Sequence, residues 1–215
     1  MQKDLKHYRQ SYEKSELAHD NLPSQPLALF SAWFKDAEDH PEIAEPNAMS
    51  LATVGEDMTP TSRVVLLKSF SSDGFTFYTN YNSEKGKDLA ENPKLCISFF
   101  WPALERQVII QGIAVKTSAK DSDEYFRVRP RGSQLGAWAS QQSQEIPSHQ
   151  YLIDEMKKLE EKFKAGEIPR PGHWGGYLIE PFHFEFWQGR RNRLHDRVQY
   201  EKNTNGDWKI KRVAP

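Results

Sequence analysis

The stretch Phe182-His183-Phe184-Glu185-Phe186-Trp187 alternates side chains with a two-residue period. That period leaves little room for anything but a β-strand with one buried face. The three phenylalanines face one way, and His183, Glu185 and Trp187 the other, so the strand Gly175–Gln188 has a core side and a second side free for other work. Such a strand needs partners. Ala48–Val54, Thr61–Phe70, Phe75–Asn80, Lys94–Trp101, Arg106–Ser118, Arg197–Glu201 and Trp208–Val213 read as further strands, with turn chemistry at Gly55-Glu56-Asp57 and Ser71-Ser72-Asp73-Gly74. Helices are inserted among them. Leu27, Phe30, Phe34 and Ala37 recur at helical spacing behind Pro26. Ser83 caps a helix through Glu91, and Asn92-Pro93 stops it. Asp121–Val128 is a helix ended by Pro130, Ser133 is placed to cap a short helix through Ala139, and Pro147–Ala165 carries Leu152, Met156, Leu159 and Phe163 on one stripe. Antiparallel strands with inserted helices, rather than alternating βαβ units, favour a mainly β fold, a barrel with helical decoration.

The chain has 215 residues, which makes one domain, or one with a modest appendage. Residues 1–25 are polar and read as a flexible N-terminal arm, leaving 26–215 as the domain. Lys plus Arg (29) nearly cancels Asp plus Glu (30), so no global field draws the protein to nucleic acid or an anionic membrane. The single cysteine, Cys96, sits in an apolar strand and excludes a disulfide framework. No run is apolar enough to span a bilayer and Met1–Lys6 lacks a signal-peptide core, so a cytoplasmic location is expected. There is no glycine-rich dinucleotide fingerprint, phosphate loop, nucleophile elbow or zinc-ligand spacing, so no metal is expected. Any catalysis would then be carried by a bound cofactor, with the protein supplying position and charge.

Three cationic places ask for anions: Arg63–Lys68, Arg127–Gln134 and Trp187–Arg197. On a helix Tyr125 and Arg129 are i,i+4 neighbours, and Ser133 opens the next helix; a hydroxyl, a guanidinium and a helix N-terminus together suit an anion. The same residues also fit an ordinary surface helix with a capped successor. Arg63 and Lys68 face opposite sides of a regular strand, where they serve different ligands or parts of one, or else simply bracket a core strand as solvated charges. Tyr78-Thr79 ends the next strand and Lys85 follows near a helix N-terminus, again suited to a phosphate.

Taken together, RVVLLK (Arg63–Lys68), FYTN (Phe77–Asn80), ERQV (Glu105–Val108), RPRGSQLGAW (Arg129–Trp138), Gln142-Ser143, WGG (Trp174–Gly176), FWQGRRNRLHDR (Phe186–Arg197) and the ending Arg212-Val213-Ala214-Pro215 resemble the pyridoxamine/pyridoxine 5′-phosphate oxidases. The resemblance runs in order from about Leu22 to the last residue. It implies an FMN-binding split β-barrel, antiparallel and of Greek-key type, that forms a homodimer through a C-terminal dimerisation region with FMN at the subunit interface. It further implies oxidation of pyridoxine 5′-phosphate and pyridoxamine 5′-phosphate to pyridoxal 5′-phosphate, with oxygen as electron acceptor and hydrogen peroxide as product. Carried over by residue, Arg63 and Lys85 meet the FMN phosphate, Val64, Leu66 and Lys68 line the flavin, and Tyr78 and Thr79 contact the cofactor. Gln107, Gln142, Ser143, Trp187 and Arg197 complete that site. Lys68, Tyr125, Arg129 and Ser133 hold the substrate phosphate, Arg193 and His195 sit over the substrate ring as the catalytic pair, and Arg9 and Tyr12 belong to an arm that closes over the site. One departure stands out: Ser83-Glu84-Lys85 puts a carboxylate where many relatives carry an arginine that helps the FMN phosphate. Another flavin oxidase or reductase on the same barrel, and a non-catalytic carrier of FMN or pyridoxal phosphate, are the alternatives.

Overall fold

The computed structural model describes residues 3–8, 10–17 and 22–215. Among these the strands are β1 (Ala48–Val54), β2 (Pro60–Leu66), β3 (Ser69–Ser71), β4 (Gly74–Asn80), β5 (Lys94–Trp101), β6 (Arg106–Lys116), β7 (Trp174–Gln188), β8 (Asp196–Lys202) and β9 (Trp208–Arg212). The helices are α1 (Pro26–Glu38), α2 (Glu84–Glu91), α3 (Ala119–Val128), α4 (Arg131–Ala139) and α5 (His149–Lys162). The strands hydrogen-bond in the order β2-β1-β5-β6-β7-β4-β3, with β8 pairing β7 and β9 pairing β8. The long strand β7 is the spine: its first half pairs antiparallel with β4, Phe75 opposite Ile179 and Asn80 opposite Trp174, and its second half pairs with β8, His183 opposite Glu201 and Gln188 opposite Asp196. The mainly β, antiparallel expectation holds.

The chain divides into two compact units: Met1–Ser50, Ile97–Gln111 and Phe182–Pro215 form the first, Leu51–Cys96 and Gly112–Pro181 the second. In the first, Phe30, Phe99, Phe184, Phe186 and Tyr200 are fully buried. Trp33 packs edge-on against Phe186 at 5.3 Å, and Phe30 against Phe99 at 5.3 Å. The buried stripe of α1 is Leu29, Phe30, Trp33 and Ala37, whereas Leu27 and Phe34 are only half-buried. The expected stripe is thus rotated, because the larger apolar face of Trp33 takes the centre. Phe184 and Phe186 keep the predicted alternation, while Phe182 lies exposed.

In the second unit Phe126, Leu135, Ile168 and Trp174 make a core, covered by Met156, Leu159 and Phe163. Its hairpin turns at Ser71–Gly74, where Gly74 has φ +145° and a Cβ would lie 2.0 Å from the Ile179 carbonyl. Sequence and structure differ here in two instructive ways. The expected strand Thr61–Phe70 breaks at Leu67-Lys68, so β2 and β3 are separate. The helix expected to begin behind a Ser133 cap begins at Arg131, with Pro130 at the N-cap and no side-chain cap bond. Ser133 lies inside α4 and its amide donates to the Pro130 carbonyl at 2.8 Å.

Candidate functional site

The second unit holds a cavity of about 900 Å³ lined by β2, the end of β4, the start of α2, the α3–α4 junction and the loop after α4. Twelve predicted residues line it: Arg63, Val64, Leu66, Lys68, Tyr78, Thr79, Lys85, Tyr125, Arg129, Ser133, Gln142 and Ser143. Arg63 and Lys68, expected on opposite faces of a strand, line the same cavity, because the break after Leu66 cancels the alternation. Tyr125 and Arg129 meet there too, but not as helical neighbours. Pro130 excludes the α conformation from the residue before it, and Arg129 is extended at φ −70°, ψ 146°.

One cluster within the cavity centres on Lys85. Ser83 caps α2 by accepting from the Gly86 amide, and Lys85, in the first turn, is buried. Its Nζ donates to Gln142 Oε1 at 3.1 Å and to Ser83 Oγ at 3.3 Å, both neutral acceptors. Burial first, and Arg63 second, push the Lys85 ammonium below its ordinary pKa, the mark of a cation whose counter-charge is not fully supplied by its neighbours. Arg63 donates to Thr53 Oγ1 and Thr61 Oγ1, each at 2.6 Å, and pairs with Glu84 at 3.2 Å. Ser143 has φ 67°, a left-handed conformation that a non-glycine residue holds only under local constraint.

A second cluster is aromatic. Tyr78 stacks on Tyr125 with centroids 4.0 Å apart and on Trp174 at 5.5 Å. The WGG motif permits this: a Cβ on Gly176 would fall 2.8 Å from Tyr78 Cε1 and 2.6 Å from Thr117 Oγ1. The Arg129 guanidinium lies over Trp174 at 4.4 Å and burial lowers its pKa. Its Nη1 is the only buried side-chain nitrogen or oxygen without a hydrogen-bond partner among the described residues. Buried donors are nearly always satisfied, so this one points to a ligand atom. On α4 a Cβ at Gly136 would meet no atom within 4 Å, which leaves space on the cavity wall for close approach.

The first unit carries the C-terminal motif. Its cations are largely met within the fold, which corrects the demand for an external anion at each. Arg190 pairs with Glu16 at 2.6 Å, Arg191 with Glu13, and Arg212 with Asp196. Arg197 grips Glu185 through two bonds of 2.8 and 3.0 Å. Burial alone would raise the Glu185 carboxyl, but Arg197 and Gln199 hold it below the ordinary range. Arg193 has no ion-pair partner among the described residues, and with Asn192 it adopts left-handed backbone, φ 62° and 57°. His195 packs on Trp187 at 4.8 Å and on Tyr12 at 5.7 Å. Its Nδ1 accepts from the Arg190 amide at 3.0 Å. Burial, then Arg193, lower its pKa, so the ring is neutral near pH 7 and the remaining proton sits on Nε2 as a donor. Tyr12, Trp187, Arg193 and His195 line a cavity of about 740 Å³. Gln107 donates to Ser98 Oγ at 3.1 Å. Arg9 lies outside the described residues. The stacking of Trp174, the Thr53–Thr61–Asp88 network behind Arg63 and the acids that neutralise the C-terminal arginines are not legible in the sequence, where only the WGG motif gives a signal. Among the described residues no helix is long and apolar enough to cross a membrane.

Comparison with known proteins agrees along the whole chain. The family described as "Pyridoxamine 5'-phosphate oxidase" matches residues 36–163, and "Pyridoxine 5'-phosphate oxidase C-terminal dimerisation region" matches 174–215. A pyridoxine/pyridoxamine 5′-phosphate oxidase of Christiangramia forsetii is 58% identical over 215 residues, 100% of both chains. One of Flavobacterium johnsoniae is 56% identical over 98% of this chain and 99% of its own. Among solved structures, PhzG from Burkholderia lata 383 in complex with tetrahydrophenazine-1-carboxylic acid is similar with a TM-score of 0.88 and 30% identity, covering 96% of this chain and 100% of that one. These likenesses bear out the split-barrel fold class. With the cavity, its buried cations and its aromatic wall, they lead to one assignment: the chain belongs to the pyridoxamine 5′-phosphate oxidase family.

Proposed function

We propose that this protein oxidises pyridoxine 5′-phosphate and pyridoxamine 5′-phosphate to pyridoxal 5′-phosphate, using FMN and oxygen. The observation that carries the reading is Arg129: a buried guanidinium with an unmatched donor, in a cavity also lined by Lys68, Tyr125 and Ser133. That set suits a dianionic phosphate on the substrate. With the alcohol, oxygen becomes hydrogen peroxide as the aldehyde forms; with the amine, water also enters and ammonia leaves. The residues around Lys85 fit FMN: Arg63 and Lys85 would hold its phosphate, and Val64, Leu66, Tyr78, Thr79, Gln142 and Ser143 would line it. Bound FMN supplies the two-electron acceptor. Gln107, Trp187 and Arg197 are proposed to complete the site in a homodimer, a state supported by the match to the dimerisation region. The proposed setting is the cytoplasm.

In this reading the chain's own groups bind, orient and exclude water. Lys68 and Arg129 fix the phosphate and thereby the ring. His195, neutral with Nδ1 engaged, donates from Nε2 to the reacting substituent and does not accept its proton in this tautomer. Arg193 adds a fixed positive charge beside it. Phosphate recognition is tested by substrate choice. The protein is expected to turn over pyridoxine 5′-phosphate at a kcat/KM at least roughly a hundredfold above that for unphosphorylated pyridoxine, since several charge-assisted contacts are lost together. Equal values would remove the phosphate site.

Two further results are expected. Glu84 competes with FMN for Arg63 at 3.2 Å but is itself well exposed. Glu84→Arg should therefore tighten FMN by about two- to tenfold, as an exposed pair contributes little; fluorescence titration of apoprotein showing no gain would contradict this. For His195, the ratio of kcat/KM for wild type to that for His195→Asn cancels titration of the substrate phosphate. The depressed His195 pKa predicts a ratio constant above the ordinary histidine range of about 6.5 and falling below it. A ratio flat down to pH ~5 would contradict a need for neutral His195 over that range.

A further inference from the structure

The segment from Tyr12 to Leu17 has no helix or strand of its own, so its backbone amides need acceptors elsewhere. Two consecutive amides find the same atom. The N–H groups of Glu13 and Lys14 both donate to Glu105 Oε2, at 2.8 and 3.0 Å. Glu105 is buried, has φ 54° and has no ion-pair partner among the described residues. Its backbone is fixed on all sides: its N–H donates to Pro102, and its carbonyl accepts from the Gly189 amide at 2.8 Å and from Gln188 Nε2 at 3.2 Å. The carboxylate is therefore held on a rigid mount and turned toward the N-terminal segment. Tyr12, one residue upstream of the gripped amides, stands edge-on to Trp187 at 5.6 Å and beside His195. Gly189 makes this approach possible, since a Cβ there would fall 2.8 Å from the Tyr12 ring.

We propose that Glu105 is a positioning residue: its buried carboxylate clamps the backbone of the N-terminal segment and so holds Tyr12 against His195 and Trp187. The consequence for catalysis rests on the function proposed above; the clamp itself does not. The Leu17 amide also donates to Asp196 Oδ2 at 3.0 Å and Lys14 Nζ to the Ala103 carbonyl at 2.7 Å, one bond each, while the ion pairs Arg190–Glu16 and Arg191–Glu13 reach the segment through exposed acids and contribute little. A carboxylate that takes two amides away from water is a stronger tie, and stripped of them it would be left buried and unmatched. The clamp and the burial of Glu105 therefore depend on each other.

Hydrogen exchange of the full-length, FMN-loaded protein, read beside steady-state kinetics, tests this. In wild type the amides of Glu13 and Lys14 are expected to exchange slowly. In Glu105→Ala they are expected to exchange about tenfold faster or more, with KM for pyridoxine 5′-phosphate raised about tenfold and kcat within about threefold. Glu105→Gln keeps an acceptor oxygen and should restore most of both. Lys14→Pro deletes the amide donor without touching the buried carboxylate, and Lys14→Ala, which loses only the Nζ bond to the Ala103 carbonyl at 2.7 Å, is its control; the proline variant is expected to change in the same direction as Glu105→Ala, and the alanine variant to stay near wild type. Unprotected amides in wild type, or a Glu13 amide as protected in both Glu105→Ala and Lys14→Pro as in wild type, would overturn the clamp; a freed segment with KM unchanged would overturn the positioning role. Protected amides in a protein that oxidises neither substrate would sink the functional reading and leave the clamp standing.

Discussion

Arg129→Ala is expected to raise KM for pyridoxine 5′-phosphate roughly ten- to a hundredfold while FMN stays bound. The magnitude follows from a lost charge-assisted hydrogen bond, about 1.5–3 kcal/mol. The direction follows from geometry. Arg129 is positioned by Trp174, 4.4 Å away, yet its Nη1 has no partner. A guanidinium retained for stability would have that donor satisfied, because an unmatched buried charge is unfavourable. The unliganded variant should therefore melt close to wild type, and the loss should appear only when substrate is present. Measured KM with wild-type flavin content checks this; an unchanged KM would take Arg129 out of the phosphate site.

Arg193→Ala is expected to behave differently, with kcat lowered about a hundredfold and flavin retained. Misplacement of a reacting group by about 1 Å suffices for a loss of that size. Arg193 lies two residues before His195 in the same cavity, has no acid to neutralise it among the described residues, and sits at φ 62°. Local strain tolerated at a charged, unpaired residue is typical of a site rather than of a core. Arg193→Gly provides the control, because glycine adopts this backbone freely. Equal kcat losses in the alanine and glycine variants assign the effect to the guanidinium. Recovery of kcat in the glycine variant would assign it to the backbone, and loss of FMN on purification would contradict the role.

Much of the fold was legible because antiparallel strands write their period into the sequence. Ala48–Val54 and Lys94–Trp101 were read to the residue, since each alternates and is bounded by turn or breaker residues. The break at Leu67-Lys68 was not legible, because the apolar run Val64–Leu67 continues across it and only tertiary pairing interrupts it. The helix start at Arg131 was misread for a related reason: Ser133 offers a good cap, but Pro130 already occupies that position and fixes the entry. For the site, residue types and motifs picked out groups that line two cavities of the fold. Their satisfaction did not follow from sequence. The acids that neutralise Arg190 and Arg191 lie 174 and 178 residues away along the chain, so the cation count overstated the anions required. Conversely, the unmatched Nη1 of Arg129 is visible only in three dimensions, and so is the double grip of Glu105 on an arm that reads as flexible polar chain.

Oxygen uptake and pyridoxal 5′-phosphate formation, followed together with purified protein, added FMN and pyridoxine 5′-phosphate, then pyridoxamine 5′-phosphate, decide whether this protein is the oxidase proposed. Each oxygen consumed is expected to be matched by one aldehyde formed and one hydrogen peroxide released. A yellow, FMN-loaded protein that forms no aldehyde from either substrate would contradict it, and would point to another flavin reaction or to a carrier.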